Sequence, residues 1–148
     1  MALTAKERRE YILNIDKVVR RWRDKSKLFA GGCCFSAGQI AKLLEKKKIR
    51  YKVVCWQVGD TEIKLKNIIK HNDCAHVGIQ VSLDGKRFII GGDYYSHWVT
   101  SVITYNRIKS KEIIEYDLLG VKIDTWNYEY NRQLNNRFIN ILNKAVSK

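Results

Sequence analysis

Apolar residues in the first part of the chain recur every three or four positions. Ile12, Ile15, Val19 and Trp22, with Tyr11 and Val18 beside them, make one stripe, and Lys6, Arg8, Arg9, Lys17, Arg20, Arg21 and Arg23 occupy the opposite face. This spacing predicts an amphipathic helix over residues 4–25, begun by the capping-box pair Thr4 and Glu7. The same period returns in Ala37, Ile40, Ala41, Leu43 and Leu44 and predicts a second helix over 33–47. Lys46, Lys47 and Lys48 close it with cations, which a helix C-terminus favours. The period then changes. Residues 50–58 are rich in Val, Tyr and Trp and read as a strand, followed by a Gly59-Asp60 turn. Residues 75–82 and 86–91 read as a hairpin turned by Leu83-Asp84-Gly85. A further strand is expected over 98–105, and a helix over 128–146, buried through Leu134, Phe138, Ile141, Leu142 and Ala145. Residues 61–71 fit a short helix or a strand, His71-Asn72-Asp73 reads as a loop, and 109–126 has no single pattern. One α+β domain accommodates these elements.

The second helix begins with candidate chemistry. Gly31 and Gly32 precede Cys33 and Cys34, and the buried stripe, extended backwards, passes through Cys33. Backbone N–H groups at a helix start are unpaired and the helix dipole is positive there, which lowers the pKa of a thiol. A nucleophilic thiol needs a base, and the base needs a group to orient it. His76 stands at the head of the strand His76-Val77-Gly78-Ile79-Gln80-Val81. Asp93 follows Gly91-Gly92 at the end of the next strand. The order is thiol on a helix, imidazole on a strand, carboxylate after the following strand.

The ordered set Gly31-Gly32-Cys33, Ala37, Leu43-Leu44, Ile49 and the strand Tyr51–Trp56, then His76 and Asp93, resembles the transglutaminase-like members of the papain-like thiol enzyme superfamily. Arylamine N-acetyltransferases are relatives of that group. The resemblance covers roughly residues 30–97. It implies a Cys helix packed on an antiparallel sheet, here flanked by N- and C-terminal helices, in a single domain over 1–148. Within it, 1–28 is the basic amphipathic helix, 30–97 the catalytic core and 127–146 the C-terminal helix. It also implies a Cys–His–Asp triad of Cys33, His76 and Asp93. The chain departs from the family in the Val-Gly after His76 and the Tyr-Tyr after Asp93. The Gly-Gly-x-Cys-Phe pattern of the acetyltransferases makes Cys34 the nucleophile instead. Helix periodicity favours Cys33, because eleven residues after it comes Leu44, whereas eleven after Cys34 comes Glu45. Both thiols stay as candidates. The implied activity is thiol-dependent acyl transfer: amide or peptide hydrolysis, deamidation or transglutaminase-like cross-linking. At 148 residues the chain is short for a full acetyltransferase. Tyr94, Tyr95, Trp56 and Trp98 are candidate cleft walls, and equally candidate core residues.

Composition changes the picture in three respects. The chain has 148 residues, 45% of them hydrophobic, enough for one packed core. Its net charge of +13 favours acidic partners, nucleic acid among them. The alternative to an enzyme is therefore a basic nucleic-acid- or protein-binding protein on a catalytically inactive transglutaminase-like fold, using the Arg-rich first helix and Lys46–Lys48. Residues 1–27 lack the apolar core of a signal peptide, and no apolar run approaches the ~18 residues of a membrane span. A cytoplasmic protein without disulfides is expected. The proline-free, lysine- and isoleucine-rich composition is that of an AT-rich genome, such as a phage acting in its host's cytoplasm. Cys33, Cys34, Cys55, Cys74 and His76 could be offered to zinc, but zinc sites use paired short spacings. Here Cys33-Cys34 is too tight and Cys55 lies mid-strand, so no metal and no cofactor are expected. The expected partner of the thiol site is a protein or peptide substrate.

Overall fold

A computed structural model describes residues 2–25, 33–57, 74–92, 101–106, 108–113 and 128–147. Helix α1 (Ala5–Lys25) is followed by α2 (Cys33–Lys46), β1 (Lys52–Gln57), β2 (Cys74–Leu83), β3 (Lys86–Ile90) and β4 (Ser101–Tyr105). A short helix α3 covers 110–113, and α4 (Tyr128–Val146) ends the described chain. The described residues form an α+β arrangement of four helices and one four-stranded antiparallel sheet of order β3-β2-β1-β4. The expected strand over 98–105 is seen as β4, with 98–100 outside the described residues. The ambiguous stretch 61–71, the loop 71–73 and most of 109–126 also lie outside them, apart from α3 and the residues leading into it.

Local chemistry sets the ends of these elements. The Thr4 hydroxyl accepts the Glu7 N–H at 3.1 Å, while the Glu7 carboxylate accepts the Thr4 N–H at 3.1 Å. This is the reciprocal capping box. Donation to the Glu7 carboxylate, first from the Thr4 N–H and then from its hydroxyl, holds that carboxyl below its ordinary value. Asp84 and Gly85 both have positive φ, 53° and 76°, as a two-residue hairpin turn of type I′ requires. Helix α2 ends in a Schellman motif: the Ile49 N–H reaches the Leu44 carbonyl at 2.9 Å and the Lys48 N–H reaches that of Glu45 at 3.0 Å. Its left-handed residue is Lys48, φ 56°, where glycine is usual.

The two faces of the sheet are filled differently. Val53 and Cys55 of β1, Val77, Ile79 and Val81 of β2, and Ile90 of β3 meet α1 and α2 in the main core. From α1 come Tyr11, Ile12, Ile15 and Val19; from α2 come Ala37, Ile40, Ala41, Leu43 and Leu44. Burying such side chains contributes roughly 1.5–3 kcal/mol each. The buried Tyr11 hydroxyl donates to the Leu43 carbonyl at 3.0 Å and joins the two helices. On the other face Val54, Trp56 and Ile89 form a second, smaller buried cluster. Trp56 thus packs as core. A Cβ at Gly78 would come within 2.9 Å of its ring, so the strand carries glycine where the indole crosses it.

Helix α4 packs on α1, with Trp22 and Phe138 ring centroids 6.0 Å apart. Its inward side is Phe138 and Leu142, both 1% exposed. Ile141, expected inside, is 43% exposed. A helix resting on the outer side of its neighbour buries a narrower stripe than one inserted between two layers, and Ile141 falls beyond that stripe. No described helix is long and apolar enough to cross a membrane.

Candidate functional site

Helix α2 lies against β2 and brings its first turns to the end of the sheet where β2 begins and β3 ends. A crevice opens there. Ser36, Ala37 and Ile40 line it from α2, His76, Val77 and Gly78 from β2, and Ile90, Gly91 and Gly92 from the end of β3. Val19 of α1 forms its floor. The crevice holds about 30 Å³, the space of a water-sized group.

Cys33 is the first residue of α2. It stands one turn before Ala37 on the same helical meridian as Ile40, Ala41 and Leu44, all of which are buried. Cys34 shares its meridian with Glu45, which faces solvent. Ser36, three residues after Cys33, is buried and lines the crevice.

His76 is half-buried. It pairs with Trp56 across the β1–β2 ladder, and its ring centroid lies 5.1 Å from that of the indole at an interplanar angle of 45°. Strand alternation sends Val77 into the core beneath α2 and His76 to the face of Trp56. His76 thus lies on the sheet face opposite α2, near the end of the sheet where β2 starts.

The third candidate, Asp93, lies outside the described residues, as do Tyr94, Tyr95 and Trp98. The chain that leads to Asp93 is defined. Gly91 and Gly92 both have positive φ, 84° and 78°. The Gly92 N–H closes a turn on the Ile89 carbonyl at 3.0 Å. The buried carboxylate of Asp16 accepts the Gly91 N–H at 2.7 Å. Arg20, one turn on, holds that carboxylate through Nε at 2.9 Å. A Cβ at Gly91 would meet Val19 at 2.7 Å, and one at Gly92 would meet the Arg20 guanidinium at 2.9 Å. Conformation favours glycine at both positions, and at Gly91 the branched Val19 side chain leaves no space for a Cβ either.

Asp16 and Ser36 were not among the sequence candidates. Asp16 had a readable signal: it is an acid inside the apolar stripe Ile12–Ile15–Val19. Ser36 had none, because a serine in a helix's first turn is common on grounds of capping alone. Cys55 is buried in the main core. Among the described residues no group of three or more His, Cys, Asp or Glu could hold a metal ion. No family model, curated protein or solved structure matches the chain.

Proposed function

We propose that the protein is a thiol-dependent acyl-transfer enzyme on a transglutaminase-like, papain-like core, with Cys33 as nucleophile, His76 as base and Asp93 as the group that orients it. The observation that carries this reading is convergence on one crevice. Ser36 and Ala37 of α2, His76 of β2 and the Gly91-Gly92 turn after β3, which precedes Asp93 in sequence, line it from three separate elements. The substrate is an amide or thioester of a protein or peptide.

In this mechanism the Cys33 sulfur attacks the acyl carbon and His76 takes the thiol proton. The negative charge that develops on the acyl oxygen falls among the unpaired N–H groups of the first turn of α2. His76 then returns the proton to the departing amine or thiol, and a thioester remains on Cys33. Water or an amine attacks the thioester, His76 accepts its proton, and the sulfur leaves with the acyl group transferred. Asp93 holds the imidazole in the tautomer that both steps require.

Brief iodoacetamide treatment near pH 6, read by mass spectrometry, tests the proposal. An activated thiolate alkylates at least ~10-fold faster than an ordinary thiol at that pH. Fast labelling should be lost in Cys33→Ala and slowed in His76→Ala. Fast labelling of Cys34 in the Cys33→Ala variant would move the nucleophile by one residue. Slow labelling of both cysteines in the wild type would end the enzyme reading.

A further inference from the structure

The opposite end of the sheet carries a feature that acyl transfer does not use. Where β1 begins, β2 ends and β3 begins, an open groove of about 1240 Å³ runs beneath the α2–β1 link. Lys48, Arg50, Lys52, Lys86, Arg87 and Lys109 line it, with Arg8 of α1 at its margin. Seven of its sixteen lining residues are cationic, against 28 of 148 in the whole chain, so the groove concentrates charge well beyond the general excess.

Its one lining carboxylate, Glu45, is already engaged. It accepts hydrogen bonds from the Tyr51 hydroxyl and from the Ser110 N–H and hydroxyl at 3.0 and 2.8 Å. Among the described residues no carboxylate forms an ion pair with any of the seven cations. The fold holds them together. The left-handed turn at Lys48 leads α2 into β1, and the alternating positions Arg50 and Lys52 follow. Lys52 pairs with Gln80 and Ser82 with Arg87, which places Lys52, Gln80, Ser82 and Arg87 on one sheet face. Like charges gathered in a concavity repel one another until a polyanion enters. A concave groove does not fit a flat bilayer. Neutral hydrogen-bonding groups, Gln80, Ser82 and Asn106, are interspersed among the cations, an arrangement suited to successive phosphates and sugar oxygens.

We propose that this groove binds the sugar–phosphate backbone of a nucleic acid. The site stands apart from the thiol crevice: the six steps along the strand from His76 to Ser82 span roughly 20 Å. Either proposal can fail without the other.

The test is fluorescence anisotropy with a labelled single strand of about 20 nucleotides, titrated between about 50 and 300 mM salt. Binding should appear at the low-salt end and weaken steeply as salt rises. Lys52→Glu with Arg87→Glu should weaken it at least ~10-fold and lower the slope of log affinity against log salt by roughly 1.5, the share of two phosphate contacts. Lys52→Gln with Arg87→Gln, a milder change, should move both readings in the same direction. Iodoacetamide labelling of the thiol should be unchanged in all of these variants. Absence of binding at the low-salt end would overturn the proposal, as would equal binding by the groove variants. Tighter binding of polyglutamate than of the oligonucleotide would assign the groove to an acidic protein instead.

Discussion

At the scale of single residues, Asp16 does work that its position on a basic helix conceals. Its carboxylate is buried, takes one backbone N–H from the β3 exit and is held by Arg20. Truncating one partner of a buried charged hydrogen bond leaves the other unsatisfied. Asp16→Ala should therefore cost about 1–3 kcal/mol in a urea titration. Asp16→Asn, which keeps an acceptor, should lose less. Since Gly91 precedes Asp93 by two residues, Asp16→Ala should also slow thiol labelling if the triad operates.

Glu45 makes a second prediction at this scale. Burial pushes its carboxyl up, but hydrogen bonds from Tyr51 and Ser110, with the charge of Lys109, together bring it below the ordinary 4.5. Burial and the same Glu45 push the Tyr51 phenol well up. A carboxyl depressed in the folded state stabilises fully above its unfolded value, and the contribution disappears as pH falls through the folded value. Melting temperatures of wild type and Glu45→Gln should differ most above about pH 4.5 and converge as pH drops toward 3.

At the scale of elements, helix ends are where local sequence and final conformation agree or conflict. The first helix agrees: Thr4 and Glu7 announce the capping box, and the structure contains it. The hairpin agrees too, because Asp-Gly suits the two positive φ values its turn needs. The end of α2 conflicts. Lysine sits at the left-handed position, and its signal as a favourable C-terminal cation hides the turn. The buried Ile49, three residues past the end of α2, over-determines that turn through its Schellman bond to Leu44. Lys48→Gly should relieve the strain and stabilise the protein by about 0.5–1 kcal/mol in a urea titration. A destabilised variant would show that the lysine side chain supports the turn.

At the scale of the molecule, one sheet has helices on one face and a second cluster on the other. The main core draws on α1, α2, α4 and strands β1–β3, while the Trp56 cluster shares β1 and β3 with it. Shared strands couple the two clusters. Unfolding in urea should be a single transition, with tryptophan fluorescence and far-UV circular dichroism coinciding. Two separated midpoints would mean that the Trp56 side opens by itself.

Periodicity alone determined most of the elements here. Helix α1, helix α2, the hairpin and α4 were legible because each has an apolar stripe or alternation that only one secondary structure can bury. The charge excess was legible as a total. Tertiary structure decided what those local patterns leave open. Which of the 28 cations share a groove depends on β1–β2 and β2–β3 register, a long-range property with no local signature. That Asp16 turns inward depends on a backbone donor 75 residues away. That Ile141 stays outside depends on how wide a stripe α1 covers. And His76 faces Trp56 because strand alternation, counted from the buried Val77, leaves it that side alone.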